Sequence, residues 1–159
     1  MNYTAEDLEQ LLSCPKKITK PPRKEMKTEG KMQRDEMELA SIDGKHSFRV
    51  YMRQSIEFSE NFSIGLDYSR NDEAGGFCLI RCNGKHGGQR EHPHHVNFHV
   101  HQCDVDDVNQ GIRDARIVEE TADYAAFRDA LLYFLRRVAL QSADLEKYFP
   151  RPQQELPFE

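Results

Sequence analysis

The spacing of apolar and polar residues changes along this chain, and each change marks an element. Leu8, Leu11 and Leu12 recur at helical spacing after Thr4 and Asp7, a capping-box pair with Asp where Glu is usual. That helix stops near Cys14, because Pro15 disfavours helical geometry in the residue before it and Pro21-Pro22 prevent an early restart. From Met37 the period becomes two. Met37, Leu39 and Ser41 share a strand face before the turn Asp43-Gly44, and Phe48, Val50 and Met52 alternate along a return strand from Phe48 to Ile56. Phe62, Ile64, Leu66 and Tyr68 mark a third strand, Phe77 to Cys82 a compact apolar fourth, and His95 to His101 a fifth. Asn71 to Gly76 reads as a turn and Asn83 to His92 as a glycine-rich loop. Tyr124, Phe127, Leu131, Phe134, Leu135 and Val138 then trace an apolar stripe, which predicts a helix over about residues 122–140.

These elements predict an α+β fold: a single antiparallel sheet of about five strands, with a short N-terminal helix and a C-terminal helix packed on one face. At 159 residues the chain suits one domain over residues 1–149, with a loose tail at 150–159. Composition alters this picture in one stretch. Residues 15–34 carry eight Lys or Arg against Glu25 and Glu29, although the whole chain has a formal charge of −5. The stretch reads as a solvated, proline-containing basic loop, and residues 16–34 also as an electrostatic handle for RNA or an acidic protein. The overall acidity excludes a cationic surface spread over the whole molecule. No apolar run reaches membrane-spanning length and the N-terminus lacks a signal-peptide pattern, so the expected setting is cytoplasmic, with no membrane partner. Cys14, Cys78, Cys82 and Cys103 accordingly read as reduced thiols, and Cys78 and Cys82, four residues apart on one strand, as sharing a face. No phosphate-binding glycine loop or nucleophile elbow is present, which leaves kinase, NTPase and α/β-hydrolase readings without support.

Six of the seven histidines lie between His86 and His101. In a strand, His95, Asn97, His99 and His101 project to one side and Val96, Phe98 and Val100 to the other. The apolar set belongs to the core, so the polar set is expected as a solvent-facing ridge. Alternate side chains on a strand stand about 7 Å apart, and zinc–nitrogen bonds of about 2 Å let a His-x-His pair converge on one ion. His86 is the natural third ligand, since Gly84, Gly87 and Gly88 let its loop fold back. The expected metal ligands are therefore His86, His99 and His101, with zinc the favoured ion. The same residues support metal-free acid–base chemistry, because imidazole titrates near neutral pH. Arg81 joins them as a catalytic candidate, and Lys85, Arg90 and Asn97 as substrate-binding candidates, the cations for a phosphate. The competing reading is that these are ordinary exposed residues on a sheet with one buried face.

The segments "KMQRDEMELASIDGKHSFRVYMRQ", "FCLIRCNGKHGG" and "HVNFHVHQ", followed by a closing helix, resemble the bacterial family catalogued as domain of unknown function 6978. That family has an N-terminal helix with a leucine pair and a following Lys-Lys, echoed by "EDLEQLLSCPKK", and a strand–loop–strand pattern that falls on Arg81, His86, His99 and His101. The likeness spans roughly Tyr3 to Leu140, with departures at "GQREHPHH" and "CDVDDVNQGIRDAR". A looser likeness to TumE-type toxins of toxin–antitoxin pairs implies an RNA- or protein-directed activity. The leading expectation is a small bacterial or phage-associated toxin or defence domain, a phosphodiesterase or ribonuclease. The alternative is a non-catalytic module whose exposed sheet face binds a protein, a nucleic acid or a second copy of the chain.

Overall fold

The structure is a computed structural model that describes residues 2–70, 75–85 and 97–150. Its element order is α1 (Ala5–Ser13), β1 (Lys16–Lys20), β2 (Lys27–Glu29), β3 (Met32–Ser41), β4 (Ser47–Ser55), β5 (Phe62–Ser69), β6 (Phe77–Asn83), β7 (His99–Gln102), α2 (Val105–Asn109), β8 (Ile117–Glu120), α3 (Phe127–Arg137) and α4 (Ser142–Tyr148). The strands form one antiparallel sheet in the order β1-β3-β4-β5-β6-β7-β8, with β2 also paired to β3. The α+β class and the meander from β3 to β7 match expectation. The count of five strands does not, because eight are present among the described residues.

The extra strands come from stretches without an apolar alternation. β1 and β2 lie inside the basic segment expected as a loop; five of their eight residues are charged, and they hold their places by backbone pairing along β3. The long β3 supplies enough free edge to accept both, one after the other. β8, Ile-Val-Glu-Glu, is largely exposed and pairs along β7. The predicted C-terminal helix appears as α3 with the separate, short α4 after it; Ala139, at φ 62, breaks the helical path between them.

Register fixes which side chains share a face. Met37, Val50 and Leu66 lie opposite one another across β3, β4 and β5, and Leu66 continues to Ile80 on β6. All four are fully buried, and they belong to one apolar cluster with Leu8 and Leu11 of α1 and Leu131, Phe134 and Leu135 of α3. Both helices therefore cover the same side of the sheet, the core face. Val100 lies on that face opposite Cys82, and Phe98 stacks on Phe62 at a centroid distance of 6.0 Å.

Lys16 ties this layer together. Fully buried, its ammonium donates to Leu12 O (2.8 Å) and Cys14 O (2.9 Å) at the end of α1 and to Val138 O (2.8 Å) at the end of α3, and lies 4.7 Å from the Phe48 ring centre. Helix C-termini leave carbonyls unpaired and carry partial negative charge, so one cation satisfies two helix ends. Burial pulls the Lys16 pKa below its ordinary value.

A bulge corrects one expectation. Leu66 pairs with Ile80 but Asp67 pairs with Cys78, so Leu79 is an extra residue in β6. That insertion turns Cys78 to the outer face while Cys82 stays in the core, so the two thiols do not share a face. No helix among the described residues is long and apolar enough to cross a membrane.

Candidate functional site

The outer face is built from rows running across the strands. One row is Tyr51 on β4, Gly65 on β5, Arg81 on β6 and His101 on β7, each directly opposite the next. The neighbouring row is Arg53, Ser63, Asn83, His99 and, on β8, Glu120. Arg49 opposite Asp67, followed across the bulge by Cys78, forms a third. Each member alternates with a core residue, which is why "RVYMRQ" sends Arg49, Tyr51 and Arg53 out while Val50 and Met52 go in.

The structure brings Arg81, His99 and His101 together. The two imidazole centres are 5.0 Å apart, and Arg81 Nη2 lies 3.3 Å from His101 Nδ1. They face away from the helices, as strand parity requires. They do not form an exposed ridge, because His99 is 0% and His101 7% exposed.

Hydrogen bonding explains what holds them. Ser63 Oγ donates to Asn83 Oδ1 at 2.8 Å, which turns the Asn83 amide nitrogen toward His99 Nε2 at 3.3 Å. His99 Nδ1 donates to Asn97 O at 2.8 Å. Both contacts fit one neutral tautomer, with the proton on Nδ1 and the Nε2 lone pair accepting. His99 is thus a fixed cross-link between β6 and the residues leading into β7. His101 Nδ1 faces Ala115 O at 3.0 Å, a partner that only accepts, so Nδ1 donates there, the Arg81 guanidinium lies against it without a bond of its own, and Nε2 is buried. The residues after α2 reach this row because Arg113 O accepts from Cys78 N at 2.8 Å.

The other candidates are dispersed. Lys85 is exposed, 3.5 Å from Glu60 and 5.1 Å from the Phe98 ring centre. Asn97 is exposed and donates through Nδ2 to Glu120 at 3.1 Å. His86 and Arg90 lie outside the described residues. Among the described residues no three His, Cys, Asp or Glu side chains form a metal-holding group. Three of the thiols are poor nucleophiles: burial pushes Cys78 and Cys82 up to about 12 and Cys103 to about 11.

Sequence reasoning missed the larger feature beside the histidines. A cavity of about 560 Å³ opens on the outer face between the basic segment and β3–β6. Seven cationic side chains line it, Lys20, Arg23, Lys27, Arg34, Arg49, Arg53 and Arg81, against the carboxylates of Glu29, Asp35 and Glu36. Arg49 pairs with Glu36 at 2.8 Å and Arg34 with Glu29 at 3.3 Å. Lys20, Arg23, Arg53 and Arg81 make no ion pair among the described residues. A second cavity of about 480 Å³ adjoins it, shares Arg49, Tyr51 and Arg81, and adds Arg70 and Arg113 with Asp67 and Asp114. Burial raises the Asp67 pKa against the pull of Arg49. The signal was present as alternate Arg49, Tyr51 and Arg53, but only the sheet joins it to the basic segment. The chain matches no protein-family model, no curated protein and no solved structure.

Proposed function

We propose that this chain binds RNA through the phosphodiester backbone, on the outer face of its sheet. One observation carries the reading: a chain of net charge −5 gathers seven cations against three carboxylates around one concave surface. Concentrating scarce positive charge in a cleft focuses the field on a polyanion and rewards binding by counterion release. Four of those cations come from the basic segment, so the electrostatic handle and the sheet face act as one surface. The test is fluorescence anisotropy with labelled RNA across a salt series. Affinity should fall steeply with salt, and Arg23→Glu with Arg53→Glu should abolish binding at moderate ionic strength. Unchanged binding in that double variant sinks the reading.

A second reading, cleavage of the bound strand, is favoured by His101, whose ring touches the Arg81 guanidinium that lines the cavity. In this chemistry the RNA 2′-hydroxyl attacks phosphorus, a base takes its proton, and an acid protonates the departing 5′-oxygen. His101 is the candidate for one role. His99, with both nitrogens engaged, is unsuited to the other, for which His86 remains the candidate named from the sequence, outside the described residues. The likeness to TumE-type toxins leads to the same proposal. Zinc held by His86, His99 and His101 is its metal-dependent form and requires His99 Nε2 to leave Asn83. Cleavage that survives chelator and disappears in His101→Ala supports the acid–base form; cleavage lost with chelator supports the metal form.

A further inference from the structure

Tyr51 has a position that charge alone does not explain. It stands opposite Gly65, and a Cβ at residue 65 would run into the tip of the Tyr51 ring. Glycine there lets the ring lie across the adjacent strand instead of standing clear of the sheet. The ring is half-buried and forms part of the wall of both outer-face cavities, with Arg49 and Arg81 shared on either side. Arg53 and Arg34 continue the cationic lining into the first cavity, and Arg113 into the second. An aromatic ring laid down between two cation-lined hollows matches a repeating ligand in which a flat base alternates with charged phosphates.

We propose that Tyr51, seated over Gly65, is a stacking platform for an unpaired base, and that the outer face therefore selects single-stranded over double-stranded nucleic acid. This inference rests on the RNA-binding reading and narrows it. Within a duplex each base is covered above and below by its neighbours, and only the end pairs have a face to present to a ring lying on the sheet. In a single strand one base can unstack onto Tyr51 while the flanking phosphates enter the two cavities. Arg81 is placed to contact both phosphates, because it lines both hollows.

The experiment compares a short oligouridine with an RNA duplex of equal length, using the full chain and anisotropy at fixed salt. The single strand should bind about tenfold tighter or better, and Tyr51→Ala should remove about tenfold of that affinity and so most of the preference for the single strand. Tyr51→Phe keeps the ring and should keep the preference; Gly65→Ala, which displaces the ring without changing charge, should lose it. In the unmodified protein, oligouridine should shift the Tyr51 ring protons upfield in NMR spectra, a readout that does not depend on any variant folding. Equal affinity for both RNAs with unmoved Tyr51 resonances overturns the platform and leaves the polyanion reading intact. Absence of binding to either RNA at low salt overturns both.

Discussion

The two faces of one sheet are solved by different physics. On the core face Val50, Leu66 and Ile80 are fully buried beneath α1 and α3, and shape is held by apolar contact. On the outer face the same strands present Arg49, Tyr51 and Arg53, then Ser63, Arg81, Asn83 and the two histidines, held by directed hydrogen bonds. The first face is specified by volume and tolerates exchange among similar apolar groups. The second is specified by donors and acceptors, so one replacement can leave its neighbours unsatisfied. The cations that line open cavities lie on the second face.

Variants should grade this contrast. The largest effect is expected at the centre of the core layer, where Phe134 is fully buried. Phe134→Ala should cost about 3–5 kcal/mol in urea unfolding and leave RNA affinity of the folded fraction unchanged. Lys16 is the polar exception in that layer, and Lys16→Met should cost about 2–3 kcal/mol by stripping the donor from three carbonyls. A cost near zero would mean that water replaces the ammonium. His99→Ala should cost about 1–3 kcal/mol, through loss of its contacts with Asn83 and Asn97, well above the value expected for an exposed ridge. Arg53→Ala should move stability by no more than about 0.5 kcal/mol while lowering RNA affinity, which separates the binding surface from the scaffold.

The smallest effect concerns Asp67. Its folded pKa lies above the unfolded value of about 3.9, so the stability it contributes is fully present below that pH and is lost as pH rises through the folded pKa. Asp67→Asn should therefore raise the urea midpoint relative to the unmodified chain at pH 7, and the difference should vanish in acid. A midpoint lowered at pH 7 would mean that attraction to Arg49, 3.9 Å away, outweighs burial.

The sequence determined by itself whatever local period and local chemistry specify. The cap at Thr4, the turn with Gly44 at φ 76, the alternation from β3 to β6 and the stripe of α3 were all legible, because each is set by neighbours a few residues apart. Strand parity likewise turned His99 and His101 to the side away from Val100. The tertiary structure decided what parity cannot: β1, β2 and β8 carry no apolar alternation and become strands only because β3 and β7 offer free backbone donors and acceptors. It also decided exposure. His101 is covered partly by the stretch around Ala115, and His99 is locked by Asn83 and Ser63 from two other strands. The bulge at Leu79 reversed the facing of Cys78, since one inserted residue inverts the parity of a strand. Tyr51 over Gly65 and the two adjoining cavities depend on residues from separate stretches of the chain, which only the sheet register brings side by side.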